Sequence, residues 1–175
     1  MASILSHPAV ALGLGAGLGL PPRFLIAGAA CTVIPDLDAL GFFAGIPYDH
    51  QLGHRGLTHS VAFAAVLGAG ALAILHQQEV PRRLAYLYLF LCAVSHGLLD
   101  AMTDGGLGVA FLAPFSGERF FFPFRPIAVS PIGVLSFFNA RGLAILRNEL
   151  VWIWLPSGLL GLVVWLARLL LRRFG

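Results

Sequence analysis

The sequence predicts an all-α, polytopic membrane helix bundle of about five passes, with a Phe/Pro-rich segment at the membrane interface. Three observations point there. Of the 175 residues, 58% are apolar and 11% charged, against roughly 45–50% and 25% in a soluble domain. Mean hydropathy is +0.87, and the charges fall between long uncharged runs. A body of 18.6 kDa has too much surface for its volume to hide so many apolar side chains from water, so lipid is the expected solvent. The length suits one domain, taken as residues 1–175.

The uncharged runs are 1–22, 24–35, 56–78, 84–99 and 151–167. The first has no basic residue before Arg23, unlike a secretory signal, and is read as a retained helix. Its alternating Gly13, Gly15, Gly17 and Gly19 suit close helix contact; a mobile glycine-rich segment is the alternative. The second run falls short of the ~20 residues that cross ~30 Å of hydrocarbon, which implies tilt or shielding by neighbours. The third and fifth are long enough, and Gly68 and Gly70 repeat the small-residue pattern in the third. Residues 105–148, with FLAPFSGERFFFPFRPIAVSPIG at their centre, read as a long loop or re-entrant segment at the interface.

All 11 basic residues are arginine. They are scattered or sit at the ends of apolar runs, which argues against a nucleic-acid partner despite a pI near 9.4. Cys31 and Cys92 lie inside apolar runs and are expected to be small buried hydrophobes. The breaks at Pro21–Arg23 and Glu79–Arg83 and the arginines Arg168, Arg172 and Arg173 fall on one side of an up-and-down bundle. The other side then takes seven of the eight acids. The short Arg82–Arg83 turn and the Arg-rich C-terminus favour a cytoplasmic first side, which puts the acidic side outside the cytoplasm.

The chemistry-bearing residues share that acidic side. Alternating passes bring together His7, at the head of the first, Asp36 and Asp38, after the second, and His54 and His59, at the head of the third. His96, Asp100 and Asp104 join them from the tail of the fourth. His96 and Asp100 are four apart on a helix and project from one face, so they either bind one ion or pair with each other. Asp104 continues that stripe and either ligates or caps. His7 is a ligand or an interfacial polar residue; Asp36 and Asp38 ligate or cap a turn. Thr58 and Ser60, flanking His59, are placed to hydrogen-bond to ligands. Imidazole with carboxylate suits zinc, with manganese or iron as alternatives. His50, in a polar loop, and His76, at the arginine-rich end, stay outside the set. Glu118, Arg119 and Arg125 stand among six phenylalanines, a composition that fits either phosphate capture at a lipid surface or membrane anchoring. Glu149 is a further candidate ligand or base.

IPDLD (34–38), GHRGLTHS (53–60), SHGLLDAMTDGG (95–106), GERFFFPF (117–124) and NELVWIWLP (148–156) together resemble the YdjM family of bacterial inner-membrane proteins, assigned as metal-dependent hydrolases. The resemblance implies an inner-membrane location and a His/Asp metal site on His7, Asp36, Asp38, His54, His59, His96, Asp100 and Asp104. The order of ligands is also similar, more distantly, to the zinc-dependent phospholipase C and P1 nuclease group. Those enzymes place further ligands after the His-x-x-x-Asp pair, whereas this chain has no histidine beyond His96, so one or two ions are expected.

The expected function is hydrolysis of a phosphoester in a lipid or other membrane-associated substrate by a metal-activated water. Asp36 or Asp104 would act as base and Arg119 or Arg125 would neutralise phosphate, with Glu118 as a supplement to the catalytic set. The alternative is a non-catalytic protein whose metal staples helix ends or serves envelope maintenance. A transporter would carry ionisable residues on both halves of the bilayer, unlike this one-sided cluster.

Overall fold

A computed structural model describes residues 1–76, 79–131, 137 and 139–174, with the side chain of residue 174 excepted. The described residues form helices and loops and contain no strand, only isolated bridges at Thr103/Ile127 and Val109/Phe120. The helices are α1 (Pro8–Gly17), α2 (Pro22–Val33), α3 (Val61–Leu75), α4 (Arg82–Ala101), α5 (Ala140–Glu149) and α6 (Leu155–Phe174). Prolines open α1 and α2, where the missing N–H costs no helical bond. The Ser60 hydroxyl accepts from the Phe63 N–H to cap α3, and the Asn139 amide oxygen accepts from the Gly142 N–H to cap α5.

Three departures from the expected elements have local chemical causes. Past Val33 the chain tightens into a 3-10 helix, Ile34–Ala44. Pro35 lacks the N–H that an α-helical ladder needs. The second pass therefore reaches 23 residues, Pro22–Ala44, instead of stopping short. The third pass is shorter than expected: residues 57–59 are spent on a 3-10 turn, and α3 keeps 15 residues before His76, at φ 41°, ends it. The interfacial segment ends at Asn139 rather than at residue 148, because α5 runs through a π turn, Leu150–Trp154, into α6. Three helices, Pro22–Ala44, Arg82–Ala101 and Ala140–Arg173, are long and apolar enough to cross a membrane; Pro8–Gly17 and Val61–Leu75 are shorter apolar helices.

Glycine sets the packing. A Cβ on Gly17 would strike the Gly161 carbonyl, and one on Gly13 would strike that of Ser157, so α1 lies backbone against backbone on α6. Gly15 and Gly28 make room for the Tyr88 ring of α4, whose hydroxyl donates to the Ala11 carbonyl at 2.9 Å. Phe24, Tyr88 and Leu89 fill the core beside Cys31 and Cys92, both free and buried, as expected. At one end Arg23 pairs with Glu79 at 2.8 Å and Arg168 donates to the Gly17 carbonyl at 2.8 Å. The breaks between passes therefore share an end, and the polar cluster occupies the other.

Candidate metal centre

The cluster is drawn from residues at the ends of the first four helices. His7 is the residue before α1, Asp36 lies in the first turn of the 3-10 extension of α2, His59 sits in the 3-10 turn before α3, and His96 and Asp100 project from the last turns of α4. None of these five is more than 6% exposed. One ligand atom from each of Asp36, His59, His96 and Asp100 lies within 4.8 Å of all the others. The His96 Nε2 to Asp36 Oδ1 distance is 3.4 Å, His59 Nε2 to Asp100 Oδ2 is 3.5 Å, and His59 Nε2 to Asp36 Oδ1 is 3.7 Å. A tetrahedron with bonds of ~2.0–2.1 Å has edges of roughly 3.3–3.4 Å. The donors therefore stand close to the spacing that one ion needs.

Hydrogen bonding decides which atoms are free. His96 Nδ1 meets the Thr32 carbonyl at 2.7 Å and so carries the proton, leaving Nε2 bare. His59 Nδ1 is 3.1 Å from Asp38 Oδ2, which frees its Nε2 in the same way. The two Nε2 atoms then face each other at 2.9 Å, a contact that requires a proton or a cation between them. Both oxygens of Asp36 and both ring nitrogens of His7 are buried without a hydrogen-bond partner, a costly state for polar atoms unless an ion draws on them. His7 Nε2 is 3.6 Å from Asp100 Oδ1, and its ring stacks on His96 with centroids 3.9 Å apart. These orphaned atoms and the donor chemistry fit a divalent cation.

The surroundings act on His7 and His59 in opposite senses. Burial, reinforced by the neighbouring His96, pushes the His7 pKa down to about 3, so its imidazole is neutral and available as a ligand. Burial alone would depress His59 too, but hydrogen bonds with Asp100, Asp36 and Asp38 outweigh it and raise that pKa to about 10. A proton and a metal ion compete for this ring.

Asp38 stands behind the ligands. It takes His54 Nδ1 at 2.7 Å, the Thr58 hydroxyl at 2.6 Å, the Arg55 N–H at 3.2 Å and His59 Nδ1. This is the carboxylate–histidine arrangement that fixes a ligand's tautomer. Asp38, His54 and His59 also form a second close trio, in which the buried His54 Nε2 has no partner. Thr58 plays its expected part, whereas Ser60 is engaged in capping α3.

Other candidates lie outside the cluster. Asp104 is exposed and caps a loop, accepting from the Val129 N–H at 2.7 Å, because α4 ends at Ala101 and the stripe does not reach it. Glu118 is exposed on the loop. Arg119 is committed to the carbonyls of His54, Gly108, Tyr48 and His50. Arg125 lies exposed with its guanidinium 4.7 Å from the Phe121 ring centre. Glu149 is fully buried and accepts from the Ser3 N–H, the Ser3 hydroxyl and the Ser6 hydroxyl at 2.5, 2.5 and 2.7 Å. It holds the turn that presents His7. Sequence reasoning missed Arg55, which is buried and donates to Asp100 Oδ2 at 3.0 Å. Its signal was a lone arginine inside HRGLTHS, between two candidate ligands.

The YdjM inner membrane protein profile matches residues 1–173. The chain belongs to the YdjM inner membrane protein family. It is 39% identical over 172 residues to the inner membrane protein YbcI of Escherichia coli (strain K12), covering 96% of this chain and 99% of that one. No solved structure matches, and the likeness to the phospholipase C and P1 nuclease group finds no support. The YdjM match spans residues 1–173, so the buried His/Asp cluster lies within the region this family shares.

Proposed function

We propose that this inner-membrane protein is a metal-dependent hydrolase acting on a phosphoester of a lipid or another membrane-associated substrate. The observation that carries the reading is the buried donor set around one point: Asp36, His59, His96 and Asp100 each bring a ligand atom within 4.8 Å of the others, and neither Asp36 oxygen has a hydrogen-bond partner. Asp36, His59, His96 and Asp100 would hold the ion, with His7 beside them. Zinc is the favoured metal on donor type. A bound divalent metal would supply Lewis acidity and an acidified water. The chain's own part is to exclude bulk water, keep the His7 imidazole neutral and supply a base. His54 fits that last role, because Asp38 holds its Nδ1 and its Nε2 is bare. Arg125, among exposed Phe122 and Phe124, is suited to a lipid phosphate. Seven acids at this end and the arginines Arg82, Arg83, Arg172 and Arg173 at the other favour an extracytoplasmic site.

One observation favours a second reading. Four protein donors, Asp36, His59, His96 and Asp100, stand together, and a site filled by four protein ligands has no open position and is structural; the metal would then staple four helix ends. To separate the two, purified protein is assayed in detergent for bound metal and for phosphate release from mixed phospholipids, alongside Asp36→Asn, His96→Ala and Asp100→Asn. Loss of metal together with turnover supports the hydrolase. A folded, metal-loaded parent with no turnover on any lipid phosphate, whose variants unfold on losing metal, supports the staple.

A further inference from the structure

Arg55 is the largest fully buried side chain among the described residues, and every nitrogen of its guanidinium donates to a neighbour at the cluster. Nε donates to Asp100 Oδ2 at 3.0 Å, Nη1 to the Gly105 carbonyl at 2.9 Å and Nη2 to the Thr103 hydroxyl at 2.8 Å. Its backbone N–H reaches Asp38, and its carbonyl accepts from the Ala110 N–H at 3.0 Å. One residue thus touches an ion-facing carboxylate, the carboxylate behind the ligands and the loop after α4. The fold accommodates it at a cost. Arg55 adopts left-handed backbone at φ 63°, unfavourable for a side chain with a Cβ. Gly106, at φ 93°, leaves the space that a Cβ would take from Arg55 Nη1, at 2.7 Å, and from the Tyr48 hydroxyl, at 2.9 Å.

We infer that Arg55 is the positioning residue of the centre: it pins Asp100 and serves as a resident counter-charge, leaving room for one divalent ion. This rests on the metal reading above. Three carboxylates with buried side chains, Asp36, Asp38 and Asp100, gather near one guanidinium, which bonds Asp100 directly, and a histidine that binds an ion through a ring nitrogen is neutral. The side chains then carry a formal charge of about −2, which one divalent cation cancels; buried charge is tolerated only when balanced in this way. Asp100 is held on both sides, by Arg55 on Oδ2 and by the Ala2 N–H on Oδ1 at 2.9 Å. Its remaining lone pairs are thereby oriented toward the imidazoles.

The test combines Co²⁺ titration with melting of the chelator-treated full-length protein in detergent, for the parent, Arg55→Met, Asp100→Asn and the double variant. One Co²⁺ per chain is expected for the parent. Each single variant should melt lower, and the double variant should regain at least half of the Arg55→Met loss, because the uncompensated charge is gone. Additive losses, or two ions per parent chain, would overturn the inference. If Arg55→Met does not accumulate, Arg55→Lys carries the test. It keeps the charge without the fork and should bind one Co²⁺ at least 10-fold more weakly, with an altered visible spectrum; unchanged affinity and spectrum would refute the positioning role. A parent that takes up no divalent ion while the melting coupling persists would remove the metal reading and leave the Arg55–Asp100 coupling standing.

Discussion

Asp38→Asn separates a residue that orients ligands from one that binds the ion. The carboxylate accepts four contacts: His54 Nδ1 at 2.7 Å, His59 Nδ1 at 3.1 Å, the Thr58 hydroxyl at 2.6 Å and the Arg55 N–H at 3.2 Å. An asparagine offers one oxygen and turns an NH2 toward donors on the other side. If the NH2 takes the Oδ2 position, it faces His59, Thr58 and Arg55. His59 is then free to rotate or to place its proton on Nε2, where an ion would need a lone pair. Loss of such a supporting partner costs about 10–100-fold in metal affinity, or ~1.4–2.7 kcal/mol. Zinc affinity measured in detergent by competition with a chromophoric chelator should fall within that range, with one-site stoichiometry kept. Asp36→Asn, which alters a carboxylate with no hydrogen-bond partner, should abolish tight binding. Equal losses in the two variants would mean that Asp38 is itself a ligand, and an unchanged Asp38→Asn affinity would refute the orienting role.

Asp104→Asn should leave metal content and melting unchanged, since the side chain is exposed and caps a loop; metal analysis that shows depletion would return it to the ligand set. Glu149→Gln should lower stability by ~1.5–3 kcal/mol, the worth of a hydrogen bond to a charged group, because three donors converge on that carboxylate. Denaturant titration in detergent measures it, and an effect below ~0.5 kcal/mol would contradict the clamp. Gly17→Ala should destabilise by ~1–3 kcal/mol through overpacking against the Gly161 carbonyl, whereas Gly70→Ala, with open space around it, should stabilise α3 by ~0.5–1 kcal/mol. Melting curves that rank the two glycines the other way would refute the backbone contact between α1 and α6.

The helical fold and the gathering of the cluster were legible in the sequence for the same reason. Uncharged runs separated by proline and arginine mark the helices and their alternating direction. Direction alone then sends His7, Asp36, His59, His96 and Asp100 to a common end. The division of labour within the cluster was not legible. Asp36 and Asp38 are two residues apart and chemically identical. The difference between them is that Asp38 meets histidine Nδ1 atoms while Asp36 faces Nε2 atoms, and no linear pattern encodes which side of a ring a neighbour approaches. Arg55 and Glu149 were obscured in another way. A charge in an apolar chain reads as an interfacial residue until its partners are known, and those partners lie 45 and 146 residues away. The start of α5 was hidden because residues 140–149 carry Arg141, Arg147 and Glu149, which break the apolar run without breaking the helix.

The N-terminal turn and the start of the last long helix meet at the centre, and this bears on both functional readings. His7 reaches the cluster because α1 lies on α6 through glycine contacts and because Glu149, one residue before the π turn, binds Ser3 and Ser6. Trp154, which closes the π turn, donates to the same Ser6 hydroxyl at 2.9 Å. A π turn adds a residue to a helical turn and rotates the remainder of the helix. Here Glu149 faces the interior and Trp154 reaches the same serine across five residues. The final helix therefore positions the first ligand, although it contributes none itself. A cluster assembled from one hairpin could form before the rest of the protein folds, but this one requires α1, α2, α3, α4 and α6 in place. The orphaned atoms of Asp36 and His7 thus become costly only when the bundle is complete, and that is the state in which an ion would be bound.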